Sequence, residues 1–184
     1  MSMCYSLYAA SDESLNALFS TPQQIRCNFE DYTTSPKRRG GLLARLFGFK
    51  VEGTTTDGSV IFNLRTDIEP CYLEKSWHGL HFLFTESDWE GEWPRGFMLN
   101  AGRAIGKTDV GYGPARGLLS TEVREVHGLL TSIDANDLKG RYNPRKMEEL
   151  QIYPNRWVRN PDDEFLYLVE SFEMLKKFIQ EVSE

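Results

Sequence analysis

Cysteine is scarce and scattered in this chain: Cys4, Cys27 and Cys71 are the only three in 184 residues. An odd number at such separations makes neither a disulfide framework nor a Cys-x-x-Cys metal clip. A reducing cytoplasm is the simplest compartment. No stretch approaches the ~18 consecutive apolar residues that span a bilayer. The first ten residues lack a basic start followed by an apolar run, so no signal peptide is expected. Repeats and low-complexity tracts are missing too. So is a basic excess: Lys and Arg total 21 against 27 Asp and Glu, a formal charge of −6. Phosphate-led binding of nucleic acid normally uses a basic face. Neither a nucleic-acid nor a membrane partner is therefore expected, whereas an acidic surface steers encounters with a basic protein.

What is present suits a compact globular fold. The chain is 40% hydrophobic and 12% aromatic, and its length fits one domain with a real core. Met3, Tyr5 and Leu7 alternate as a strand would. Ser11 followed by Asp12 and Glu13 starts a helix with a hydroxyl cap and acids at its positive end. Thr21-Pro22 restarts one. Residues 33–66 differ in texture: Lys37-Arg38-Arg39-Gly40-Gly41 is basic, and residues 59–64 alternate as a strand after an Asp57-Gly58 turn. We read 33–66 as a variable excursion on a single domain spanning 1–184. The spacing of Leu73, Trp77, Leu80 and Phe84 predicts a helix over residues 72–85. Phe97-Met98-Leu99 reads as a short buried strand, and residues 101–117, rich in glycine, as loop. Ser120, Asp134, Asn143-Pro144 and Asn160-Pro161 each open a helix, and Glu173 pairs with Lys177 on the last. The expected fold is α/β: a small central sheet, helices around it, and a helical C-terminal third.

Two clusters stand out. Trp77-His78-Gly79-Leu80-His81 holds two of the three histidines at i, i+3, on one side of a helix. Three readings fit the pair. It is a partial metal site, although zinc needs three or four ligands and the third histidine, His127, lies on another helix. It is an acid–base group near neutral pH. Or it is a satisfied core-edge pair. The second cluster, Asp109-Val110-Gly111-Tyr112-Gly113-Pro114-Ala115-Arg116, fits an anion cradle of backbone N–H groups with Arg116 as clamp. It also fits a tight crossing with Arg116 paired internally. The candidate pocket comprises Trp77, His78, His81, Asp109, Gly111, Tyr112, Gly113 and Arg116. Residues 101–108 nearly match a phosphate-binding loop, with Lys107 and Thr108 in place, but Gly111, Gly113 and Pro114 break the helix that such a loop must open. Trp89 and Trp93 stand among Glu86, Asp88, Glu90 and Glu92. They fit a surface for a cationic ligand or basic partner, or tryptophans folded back onto the core.

The phrases at 77–85 and 111–116, with Ile152-Tyr153-Pro154, resemble the YfbM-like proteins, a bacterial family of unknown function. The resemblance covers residues 1–20 and 71–180; the family often opens Met-Gly-Met where this chain has Met1-Ser2-Met3. It implies an α/β domain in a bacterial cytoplasm, and it brings no activity, cofactor or catalytic set. No cofactor and no metal are expected. The reading that follows is a non-catalytic binding module for a protein partner or small ligand, with an immunity-type protein as one version. The alternative is a small enzyme with its pocket between the His78/His81 helix and the 111–116 loop.

Overall fold

A computed structural model describes residues 3–22, 64–110 and 113–184. The helix restart after Pro22, almost all of the 33–66 excursion, and Gly111 and Tyr112 lie outside the described residues. Among those described, the elements run β1 (Tyr5–Leu7), α1 (Asp12–Ser20), β2 (Cys71–Glu74), α2 (Trp77–Thr85), α3 (Phe97–Asn100), β3 (Arg103–Asp109), β4 (Pro114–Gly117), α4 (Ser120–Thr131), α5 (Ala135–Arg141), α6 (Pro144–Glu149) and α7 (Pro161–Ser183). The result is a compact mixed α/β fold whose last third is helical. The small sheet takes the form of two antiparallel pairs, β1 with β2 and β3 with β4.

Local chemistry explains most helix starts. The Ser11 hydroxyl accepts the Ser14 N–H at 3.1 Å, Asp134 accepts from Asn136 and Asp137, and Asn143 accepts from Lys146. Each satisfies a backbone donor that the helix leaves open. Ser120 is the first helical residue of α4 rather than its cap, because the Glu122 carboxylate reaches back to the Leu119 N–H. Ser120 instead gives its N–H and hydroxyl to the Asp12 carboxylate, each at 2.8 Å. That clamp ties α1 to the head of α4. On α7, Lys177 pairs with Glu181 rather than Glu173.

Three expectations are corrected. Residues 71–74 form a strand, not the first turn of a helix. Cys71 and Leu73 are buried while Tyr72 and Glu74 are exposed, a period of two, and Glu74 takes a φ of 48° that no right-handed helix contains. Phe97–Asn100 is one helical turn, not a strand. A short apolar run fits either, and bonds from Phe97 N–H to the Pro94 carbonyl and from Leu99 N–H to that of Gly96 wind it. Residues 103–109 and 114–117 pair as a hairpin and are not loop. The register between β3 and β4 shifts between Ala104 and Asp109. Gly106 in that span has a φ of 66°, so it serves an irregularity within the strand and does not end it.

The core gathers on α2, whose residues from Trp77 to Phe84 are all buried. Fully buried Trp157, Phe172, Leu130 and Leu138 join it from the C-terminal helices and their connections. Gly79 allows the close approach. A Cβ there would lie 2.6 Å from Trp157 Cη2 and 2.7 Å from Leu168 Cδ2. A smaller cluster of Leu15, Leu18 and Ile105 joins α1 to β3.

Candidate functional site

α2 buries both of its histidines and aims them at the loop that follows it. His78 is 1% exposed and His81 0%, so their nitrogens must find partners inside the protein. His78 Nδ1 accepts the Tyr153 N–H at 3.0 Å, and Nε2 lies 2.8 Å from the Asp88 carbonyl. A backbone N–H only donates and a carbonyl only accepts. The ring is therefore neutral, with its hydrogen on Nε2. His81 Nε2 likewise donates to the Glu90 carbonyl at 3.1 Å, while its Nδ1 is buried with no hydrogen-bond partner. Burial holds both rings below the ordinary imidazole range. His81 goes down to about 4, with the charge of His78 adding to the burial and the Glu90 carbonyl and Asp88 carboxylate opposing it. His78 is lowered by burial against the opposing pull of Asp88.

Aromatic rings complete the setting. His78 packs against both Trp77, stacked at 4.8 Å and 7°, and Trp89, at 4.6 Å and 40°. Tyr5 and Tyr153 stack on Trp77 at 6.4 and 6.3 Å, and Trp77 Nε1 donates to the Met3 carbonyl. β1, α2, the 86–96 loop and the turn after α6 thus meet at one aromatic cluster. Trp89 is also its outer wall, 53% exposed. Trp93, at 41% exposure, donates its indole N–H to the Glu125 carboxylate on α4. Glu86, Glu90 and Glu92 are exposed on the same loop.

The second cluster is built differently. Arg116, on β4, donates from Nε to the Ala101 carbonyl at 2.7 Å and from Nη2 to the Gly102 carbonyl at 2.6 Å. Its guanidinium fastens the entry to β3, which is the internal pairing foreseen for it. The Asp109 carboxylate accepts the Gly113 N–H at 2.9 Å, and Val110 N–H bonds the Gly113 carbonyl. These close the β3–β4 turn. Tyr5 links the two clusters. Its ring rests on Trp77, its hydroxyl donates to the Met98 carbonyl, and its phenol, pushed up to about 12 by burial, feels the positive charge of Arg116.

Lys107 and Thr108 lie in the extended strand β3, and no helix begins there. The phosphate-loop geometry, which needs a helix N-terminus at that point, is not formed. His127 sits half-buried on α4. Among the described residues, no group of three or more His, Cys, Asp and Glu side chains is placed to hold a metal ion. Nor is any helix among them long and apolar enough to cross a membrane. Tyr5, Glu125 and the Tyr153 N–H were not foreseen as parts of this region. Tyr153 was singled out only within the family phrase Ile152-Tyr153-Pro154, and backbone groups carry no sequence signature.

The chain belongs to the family described as a domain of unknown function, DUF1877, whose model matches residues 1–184. No curated protein and no solved structure matches it.

Proposed function

We propose that this protein is a non-catalytic binding module, YfbM-like and of the bacterial cytoplasm, that engages a basic protein partner through the 86–96 loop. One observation carries the reading. The loop presents two large, exposed tryptophans among three exposed glutamates, on a base of buried side chains. Tryptophan supplies most contact energy per residue at interfaces, and surrounding carboxylates bring a basic surface to it. The base is also rigid: the His78 and His81 rings bond the Asp88 and Glu90 carbonyls. A preorganised loop loses little freedom on docking. The net charge of −6 points the same way. An immunity-type protein, covering the basic active site of a toxin, is the specific version that this chemistry suits.

The geometry of the histidines favours this over the enzyme reading. Three of their four ring nitrogens already bond backbone groups, and Arg116 directs two of its guanidinium N–H groups to the Ala101 and Gly102 carbonyls. The test compares two baits in one native cell extract: the wild-type chain and a Trp89→Ala, Trp93→Ala double variant. A basic protein held by the wild type, released as salt screens the charges and lost from the double variant is the expected result. Retention of the same proteins by both baits, or of no basic protein, would overturn the reading.

A further inference from the structure

We propose that His78 and His81 form a proton-sensitive clasp, holding the 86–96 loop on α2 while both rings are neutral and releasing it when they take up protons. This goes beyond partner binding. It concerns how the loop is held, and the protein alone tests it.

The geometry sets the direction. Each ring donates Nε2–H to a loop carbonyl, His78 to Asp88 and His81 to Glu90. Each therefore keeps Nδ1 as a bare lone pair. A proton on His78 Nδ1 would meet the Tyr153 N–H that now donates to it at 3.0 Å, donor against donor. A proton on His81 Nδ1 would be a buried N–H with no acceptor. Either event leaves a buried donor unsatisfied on a ring that has become charged. Charge would strengthen the two carbonyl bonds, but those bonds do not satisfy Nδ1. Water has to reach it, so some cover has to move. α2 is held, because Gly79 leaves no space against Trp157 and Leu168. The loop is the cover that can lift: Trp89 packs on the His78 ring while half exposed to solvent, and once the loop lets go of Nε2 a protonated ring can turn its Nδ1–H away from the Tyr153 N–H and out to water.

The groups around the pair do not all act one way. The Asp88 carboxylate, from the loop itself, favours charge on both rings. The faces of Trp77 and Trp89 favour a cation at His78. The two rings disfavour charge on each other. The rings of Tyr5 and Tyr153 stack on Trp77, and the Arg116 charge acts on the Tyr5 phenol. Three further cations reach α2 from other elements. Arg95 and Arg141 donate to the Phe84 and Leu83 carbonyls, and Lys146 lies over the Phe82 ring. Burial outweighs the favourable partners at both histidines, and His81, with its unpartnered Nδ1, is the stronger trigger.

The linkage follows. An open, solvated ring takes its proton near pH 6.5, and the closed His81 ring near 4. Between those values the open form binds more protons. Closure is therefore fully favoured above about 6.5 and is lost as pH falls toward 4, where its loss levels off.

Amide hydrogen exchange read by NMR on the full chain, with protection factors corrected for intrinsic rate, is the test. Protection across residues 86–96 should fall by about tenfold per pH unit for each proton taken up between 6.5 and 4. α7 should keep its own. His81→Gln keeps a donor for the Glu90 carbonyl but cannot titrate. Its loop should lose protection less steeply, by one proton's worth. Three results would each overturn the clasp: pH-independent loop protection, loop and α7 amides losing protection together, or parallel curves for His81→Gln and wild type.

Discussion

The His78/His81 helix and the Asp109–Arg116 hairpin hold similar ingredients, yet the fold treats them oppositely. α2 buries both of its histidines completely and turns them onto backbone groups of the loop that follows, at Asp88 and Glu90, and of the turn at Tyr153. The hairpin spends its polar groups on itself: Asp109 on Gly113, Arg116 on the carbonyls at the entry to β3. In the first region, polarity locks separate elements together at a cost in desolvation. In the second it shapes one local turn in water's reach. Residue type alone therefore says little about the work a polar cluster does; the identity of its partners decides it.

If that contrast is right, damage to the two regions should differ in size. The largest loss should come from His78→Leu. The new side chain leaves the Tyr153 N–H without an acceptor and the Asp88 carbonyl without its donor. Each unsatisfied buried group costs ~1–3 kcal/mol, so the variant should lose about 3 kcal/mol in denaturant unfolding. A loss under ~1 kcal/mol, within the range of an ordinary net hydrogen bond, would mean that water already serves these groups and that α2 is not the locked region.

Gly79→Ala should come next. Alanine ordinarily gains ~1 kcal/mol over glycine inside a helix. Here the added methyl would sit 2.6 Å from a Trp157 ring whose indole N–H is tied to the Ile152 carbonyl at 2.7 Å. Trp157 is fully buried. Overpacking of this kind costs ~1–3 kcal/mol beyond any propensity gain. The expected outcome is a lower unfolding midpoint, and a stabilised variant would show that the α2–α7 contact can relax.

Much of the fold was legible because its determinants are local. Ser11, Asp134 and Asn143 cap the helices expected of them, since a cap is decided within four residues. The Asn160-Pro161 start of α7 reads just as directly. The misreadings arose where two local rules competed. Leu73 fits the helical spacing of Trp77 and Leu80, but it also alternates with Tyr72, and the turn at Glu74 settled the matter for the strand. The glycines of 101–117 count as breakers by composition, yet pairing between β3 and β4 absorbs them. The candidate site was legible as a location and not as a mechanism. His78 and His81 were identifiable by rarity and spacing. Their partners are backbone groups at 88, 90 and 153, which any sequence could supply, so only the folded chain names them.

The smallest effect should follow Arg116→Ala, and it bears most directly on whether there is one site or two. Arg116 is exposed, and its two bonds go to the carbonyls of buried Ala101 and half-buried Gly102. Water can replace it there, so the stability loss should be about 1 kcal/mol. Its one link to the histidines runs through Tyr5, which feels its charge and stacks on Trp77. If the hairpin only shapes itself, removing the guanidinium leaves the NMR titration of His78 and His81 where it was. A clear upward move of their midpoints would mean that Arg116 had been repelling protons from the pair. The two clusters would then be electrostatically one, and a pocket spanning them would become the better description of this surface.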